Sequence, residues 1–211
     1  MTGLSLLWFA LFLVAAVADW IAVHLDQKAL EYVAKPATLV ALIGAAASLD
    51  VDDPAVKAWF LAALVLCLIG DVFLMLPQDL FVFGLASFLL GHIAYIVGMH
   101  VDGVDGLRFL VGIVVVMVAL AIIGTTILRA VRRGDEPELA GPVIAYMFVI
   151  SAMVASAIGT GHPAAIVGAG LFYCSDALIA WNRFVHEQRL GRLAIIVTYH
   201  LGQLGLVLSL I

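Results

Sequence analysis

Charge is what this sequence has least of. Asp, Glu, Lys and Arg together make up 12% of its 211 residues, 65% are hydrophobic, and the mean hydropathy is +1.19. A soluble domain of this length could not hide so much apolar surface from water, so the class expected is an integral membrane protein. Cysteine is scarce too: Cys67 and Cys174 both fall inside apolar runs, where a thiol acts as a small hydrophobe, and no disulfide framework is implied. No basic stretch precedes the first apolar run, so a cleaved signal peptide is not expected. Long polar segments are also missing, which leaves no room for a separate soluble domain. Residues 1–211 read as a single transmembrane helical domain.

Breaks at polar residues, glycine and proline divide the chain into about eight candidate helices, several near the ~20 residues a bilayer requires. They run over 4–23, 36–49, 56–76, 80–99, 107–128, 140–158, 163–182 and 193–210. The second is short for a span and is expected to take in part of Glu31–Lys35, with Pro36 as its first helical residue. Lys28, Lys35, Arg129, Arg132, Arg133, Arg183, Arg189 and Arg192 fall on one side of this arrangement, and only Lys57 and Arg108 on the other. Asp50, Asp52, Asp53, Asp102 and Asp105 make that second side acidic. This bias places the Arg-rich loops in the cytoplasm and both termini outside, in the inner membrane of a bacterium. The run Arg129–Glu138 reads as a solvated cytoplasmic turn, and Trp8, Trp20, Trp59 and Trp181 as interfacial anchors.

The halves 1–105 and 106–211 can be laid over one another at an offset of about 105 residues, as a four-plus-four parallel repeat. Pro36 then matches Pro142, Asp71 matches Asp176, and His92 matches His200, whereas Asp19 has no counterpart. The plain alternative is that apolar sequences align with almost anything.

Asp71 and Asp176 stand out because an ionised carboxylate at membrane depth costs roughly 2.5–3.5 kcal/mol on insertion scales. Each lies a few residues above the inner end of its helix, roughly 8–9 Å deep at 1.5 Å per residue. Matched depth fits a structural pair, a catalytic dyad or an ion-coupling site. If the two face each other, burial and like charge keep one protonated and the other ionised, which supplies an acid beside a base. Lys35 and Arg183 read either as snorkelling interfacial cations or as clamps on a lipid phosphate. His92 and His200 lie inside their helices; no HExxH-like or close-paired spacing supports a metal site there. Tyr95, Tyr146, Tyr173, Tyr199 and Gln203 either line a polar pocket or join helices. Gly168-Ala169-Gly170 suits close helix approach.

Several motifs together resemble those of the YhhN-like lysoplasmalogenase family of multi-span membrane proteins. They are Lys35-Pro36, Gly70-Asp71, Phe88-Leu89-Leu90-Gly91-His92 with Tyr95, Tyr146, Leu171 to Asp176, Asn182-Arg183-Phe184, and Tyr199 with Gln203. They keep the family's order over nearly the whole chain. His200 departs from it, where a second tyrosine is expected beside Tyr199.

The resemblance implies hydrolysis of the vinyl-ether bond of a lysoplasmalogen, with Asp71 and Asp176 catalytic. Lys35, His92, Tyr95, Tyr146, Asn182, Arg183, Tyr199, His200 and Gln203 become the substrate-binding set. It implies no metal or other cofactor, a lysophospholipid partner within the bilayer, no nucleic acid and no obligate protein partner. Two other classes remain open on the residues alone: a proton-coupled lipid or small-molecule transporter or binding protein, and a metal-dependent lysolipid or ceramide-type hydrolase.

Overall fold

A computed structural model describes residues 3–188 and 190–211; Arg189, counted above on the basic side, lies outside the described residues. Among the described residues eight helices are long and apolar enough to cross a membrane. They are α1 (Gly3–His24), α2 (Lys28–Ala47), α3 (Pro54–Met75), α4 (Phe81–Asp102), α5 (Gly106–Arg133), α6 (Ala140–Thr160), α7 (Pro163–Phe184) and α8 (Gly191–Leu208). The described residues include no β-strand.

Local chemistry sets several of the boundaries. Asp53 accepts a hydrogen bond from the Ala55 amide at 2.7 Å, and Pro54 follows it at the first helical position of α3. Asp105 caps α5 in the same way through the Arg108 amide, at 2.9 Å. Gly161 ends α6 in the left-handed conformation, at φ 73°, which costs glycine nothing.

Two boundaries differ from expectation. Helix α2 starts at Lys28, so Pro36 lies inside it rather than at its start. A proline there removes one backbone donor, a loss that neighbouring helices in a membrane bundle can absorb. Lys35 consequently sits two turns into the helix and not at its mouth. Helix α5 continues to Arg133 through a π turn at Leu120–Gly124, so Arg129, Arg132 and Arg133 are helical and exposed rather than part of a turn. Only the short stretch from Gly134, with a 3-10 turn at Pro137–Leu139, links it to α6.

Sequential helices pack as hairpins: α1 on α2, α3 on α4, α5 on α6 and α7 on α8. Contacts of α2 with α3, α4 with α6, α6 with α7 and α8 with α1 close a ring. Helix α5 stands outside it against α6, with most of its surface directed away from the protein. The α7–α8 seam is the tightest of these, because a methyl on Gly168 would lie 2.6 Å from the Leu206 nitrogen and 2.8 Å from the Gly202 oxygen. Small residues allow such backbone approach where lipid gives helices no hydrophobic reason to associate. Ala169 is buried beside it, whereas Gly170 faces open space.

Candidate active site

Asp71 and Asp176 come to the interior of the ring from α3 and α7, each with its own set of partners. Asp71 is 2% exposed. Its Oδ1 lies 3.0 Å from Lys35 Nζ, and its Oδ2 accepts the Tyr199 hydroxyl at 2.7 Å. Tyr199 in turn accepts from Gln203 Nε2 at 3.4 Å, and the Tyr95 hydroxyl donates to Gln203 Oε1 at 2.6 Å. This chain crosses α2, α3, α8 and α4. It joins five of the residues picked out in the sequence around one charged pair.

Among the described residues no Lys or Arg is bonded to Asp176. Its Oδ2 accepts the Tyr146 hydroxyl from α6 at 2.5 Å and lies 3.3 Å from His92 Nε2 on α4. His92 Nε2 is also 2.9 Å from the Tyr146 oxygen. With the Tyr146 proton directed at the carboxylate, His92 must serve both oxygens as a donor, which puts its proton on Nε2. Its other ring nitrogen, Nδ1, is buried without a hydrogen-bond partner among the described residues.

The two sets touch through aromatic rings. Phe172 stands edge-on to His92 at 4.8 Å between ring centres and to Tyr199 at 5.2 Å, and Phe88 packs against both Phe172 and Tyr199. Gly70 makes this possible: a methyl group there would lie 2.7 Å from the Phe88 ring. The glycine preceding Asp71 thus admits the phenylalanine that borders Asp71's own tyrosine. Both carboxylates are close enough to interact electrostatically, across a partition that holds little to screen them.

The remaining predicted residues lie apart. His200 is fully buried but faces α1, where its Nδ1 accepts the Trp20 indole proton at 3.1 Å. Trp20 is partly buried and turns its indole N–H inward. Asn182 Oδ1 accepts the Gln188 amide at 3.2 Å and shapes the α7–α8 loop. Arg183 stacks 4.0 Å above the Phe81 ring and bonds Asp79 and Glu136, tying the α3–α4 and α5–α6 connections to the end of α7. Its guanidinium holds the Asp79 carboxyl below the usual carboxylate range.

Asp19 was not among the predicted site residues. It is fully buried on α1, with His200 Nε2 at 3.9 Å from its Oδ2. The signal was present, since the rule that singles out Asp71 and Asp176 applies equally to an acid in the middle of the first span. Arg192 and Glu31 were missed as well, because their pairing joins elements far apart in the chain.

Two spaces meet at this site. An apolar pocket lies between α3, α4, α5, α6 and α7, and Tyr146 and Asp176 are on its wall. Ile123 and Gly124 from the π turn of α5 line its far side. An open chamber lies at the Arg-rich end of the bundle, lined by Glu31, Lys35, Asp79, Arg183 and Arg192. Leu74, Phe81 and Ile179 border both. The site thus offers an apolar slot with an acid on its wall, next to a charged chamber that Lys35 connects to the second acid. Among the described residues no group of three His, Cys, Asp or Glu side chains is arranged to hold a metal ion.

Residues 30–210 match the YhhN family. Mouse (Mus musculus) lysoplasmalogenase TMEM86B is 32% identical over 154 residues, covering 72% of this chain and 64% of the relative. The human (Homo sapiens) protein of the same name is 31% identical over 148 residues, 70% of this chain and 61% of the relative. Lysoplasmalogenase of Mycobacterium tuberculosis is 32% identical over 136 residues, 61% of this chain and 51% of the relative. The match therefore spans somewhat under two thirds of the mammalian relatives' length and about half of the mycobacterial one. No solved structure matches the chain. The chain belongs to the YhhN family.

Proposed function

We propose that this YhhN family member is a membrane-embedded hydrolase that cleaves the vinyl-ether bond of a lysoplasmalogen, releasing a fatty aldehyde and a glycerophospho-base. The relatives' names support the substrate class. The observation that carries the chemistry is the unlike surroundings of the two aspartates where the apolar pocket meets the charged chamber.

A vinyl ether is cleaved by protonation of its β-carbon, which leaves an oxocarbenium ion; water adds, and the hemiacetal collapses. Asp71 is paired with an ammonium and serves as the ionised carboxylate. Asp176 is bonded to a phenol and an imidazole and lines the apolar slot, and we assign it the delivery of the proton. Once ionised, Asp176 takes the proton that the attacking water loses and returns it to the glycerol oxygen as the carbon–oxygen bond breaks, while the hemiacetal hydroxyl proton passes back to Asp176 and restores the acid. Protons balance over the cycle, with one water consumed. Tyr146 and His92 hold the Asp176 carboxyl in one orientation, and Asp71 stabilises the cation in a setting of low dielectric. The Arg-rich end faces the cytoplasm of a bacterial cell, and the lysolipid enters from the bilayer.

Hydrolysis of a lysoplasmenyl lipid by the purified protein in heavy water tests this reading, with the aldehyde trapped at once by borohydride. The expected product carries one deuterium on the carbon next to the former carbonyl. Bound lipid with no aldehyde released would move the protein to a carrier role.

A further inference from the structure

The charged chamber contains three cations, but they are not equally free to bind. An Arg guanidinium has five N–H donors and a Lys ammonium three. Arg183 directs four of its five at carboxylates: Nε and Nη2 to Glu136, and Nη1 and Nη2 to Asp79. It is a strut between loops with one donor left. Arg192 uses Nη1 for Asp26 and Nη2 for both oxygens of Glu31, which leaves Nε and one Nη1 proton without a partner among the described residues. Lys35 engages Asp71 with one of its three. The unengaged donors of the chamber therefore belong chiefly to Arg192 and Lys35, on adjacent walls contributed by α8 and α2.

We propose that Arg192, with Lys35 beside it, binds the phosphodiester anion of the lysolipid and so selects a phospholipid over a neutral lipid, while Arg183 is structural. This rests on the hydrolase reading for the identity of the lipid, but the anion site itself depends only on the chamber. The shared border at Leu74, Phe81 and Ile179 lets one molecule place its phosphate here and its chain in the apolar pocket.

The test is binding, not turnover. A saturated 1-alkyl lysophospholipid, which has no vinyl ether to cleave, is titrated into the intact protein in detergent alongside the matching 1-alkylglycerol and inorganic phosphate. Arg192→Gln should weaken the lysophospholipid roughly tenfold, the scale of a lost charge-assisted hydrogen bond, and leave the alkylglycerol unchanged. Should that variant fail to fold, Glu31→Gln gives the complementary reading, because it frees donors on Arg192 and should tighten the lysophospholipid alone. Equal changes for both lipids in these variants, or none for either, would overturn the proposal. Displacement of the lysophospholipid by inorganic phosphate would replace the lipid head group with free phosphate as the ligand. Selective weakening in a protein that releases no aldehyde would keep the anion site and discard the hydrolase.

Discussion

Asp71 and Asp176 have the same chemistry, yet their surroundings differ. Asp71 faces an ammonium at 3.0 Å, whereas the groups bonded to Asp176 are a phenol and an imidazole. Lys35 opens toward the charged chamber and Asp176 toward the apolar pocket. A membrane interior tolerates one carboxylate when a cation stands beside it and another when it carries a proton. On the proposed reading two chemically alike residues are divided into a base and an acid, and the helices that bring in Lys35 and Tyr146 decide which is which.

The most drastic way to probe the difference is to neutralise each acid in turn. Asp71→Asn and Asp176→Asn should both cut aldehyde release by at least a hundredfold, about the contribution of a positioned acid or base. They should part in stability. Asp71→Asn strands Lys35 beside a neutral amide, and loss of one member of a mostly buried pair costs about 3 kcal/mol; Asp176→Asn keeps an acceptor for Tyr146 and should unfold near the wild-type temperature. Thermal unfolding in detergent separates the two. Equal stability of the variants would remove the argument for a charged Asp71.

Tyr146→Phe comes next. It takes away the shortest hydrogen bond to Asp176 and should lower kcat about tenfold, by roughly 1–2 kcal/mol, with KM for a lysoplasmenyl lipid little changed. A rise in KM at constant kcat would make Tyr146 a contact to the substrate and not a support for the acid.

Filling the apolar pocket should have the smallest effect. Met147→Trp narrows the slot beside Gly124, so kcat/KM should fall severalfold for long alkenyl chains and hold for short ones, in line with the modest energies by which apolar pockets discriminate methylenes. Chain-length profiles of the two proteins check this. An unchanged profile would put the chain elsewhere.

Much of this comparison could be read before any geometry was known. Eight apolar runs and their end charges made the helices legible, since length and hydropathy alone decide what can cross a bilayer. Asp71 and Asp176 were legible for the same reason in reverse, as charges where lipid should be. Their partners were not. That Lys35 meets Asp71 depends on α2 beginning at Lys28 and carrying Pro36 within it, against the ordinary meaning of proline. That Tyr146 meets Asp176 depends on how α6 packs against α7 and α4, a contact that no local pattern encodes. Arg183 looked like a free cation at a membrane edge until two acids from distant loops took up its donors. Asp19 shows the opposite failure: it bore the same mark as the other two acids and was passed over for want of a matching residue in the second half.

The division of labour between the carboxyl groups can be observed directly by infrared difference spectroscopy of the resting protein. A protonated carboxyl has a C=O stretch that a carboxylate lacks. Subtracting Asp176→Asn from wild type should leave that band, and subtracting Asp71→Asn should leave carboxylate stretches in its place. The reverse assignment, with the protonated band lost in Asp71→Asn and kept in Asp176→Asn, would contradict the account.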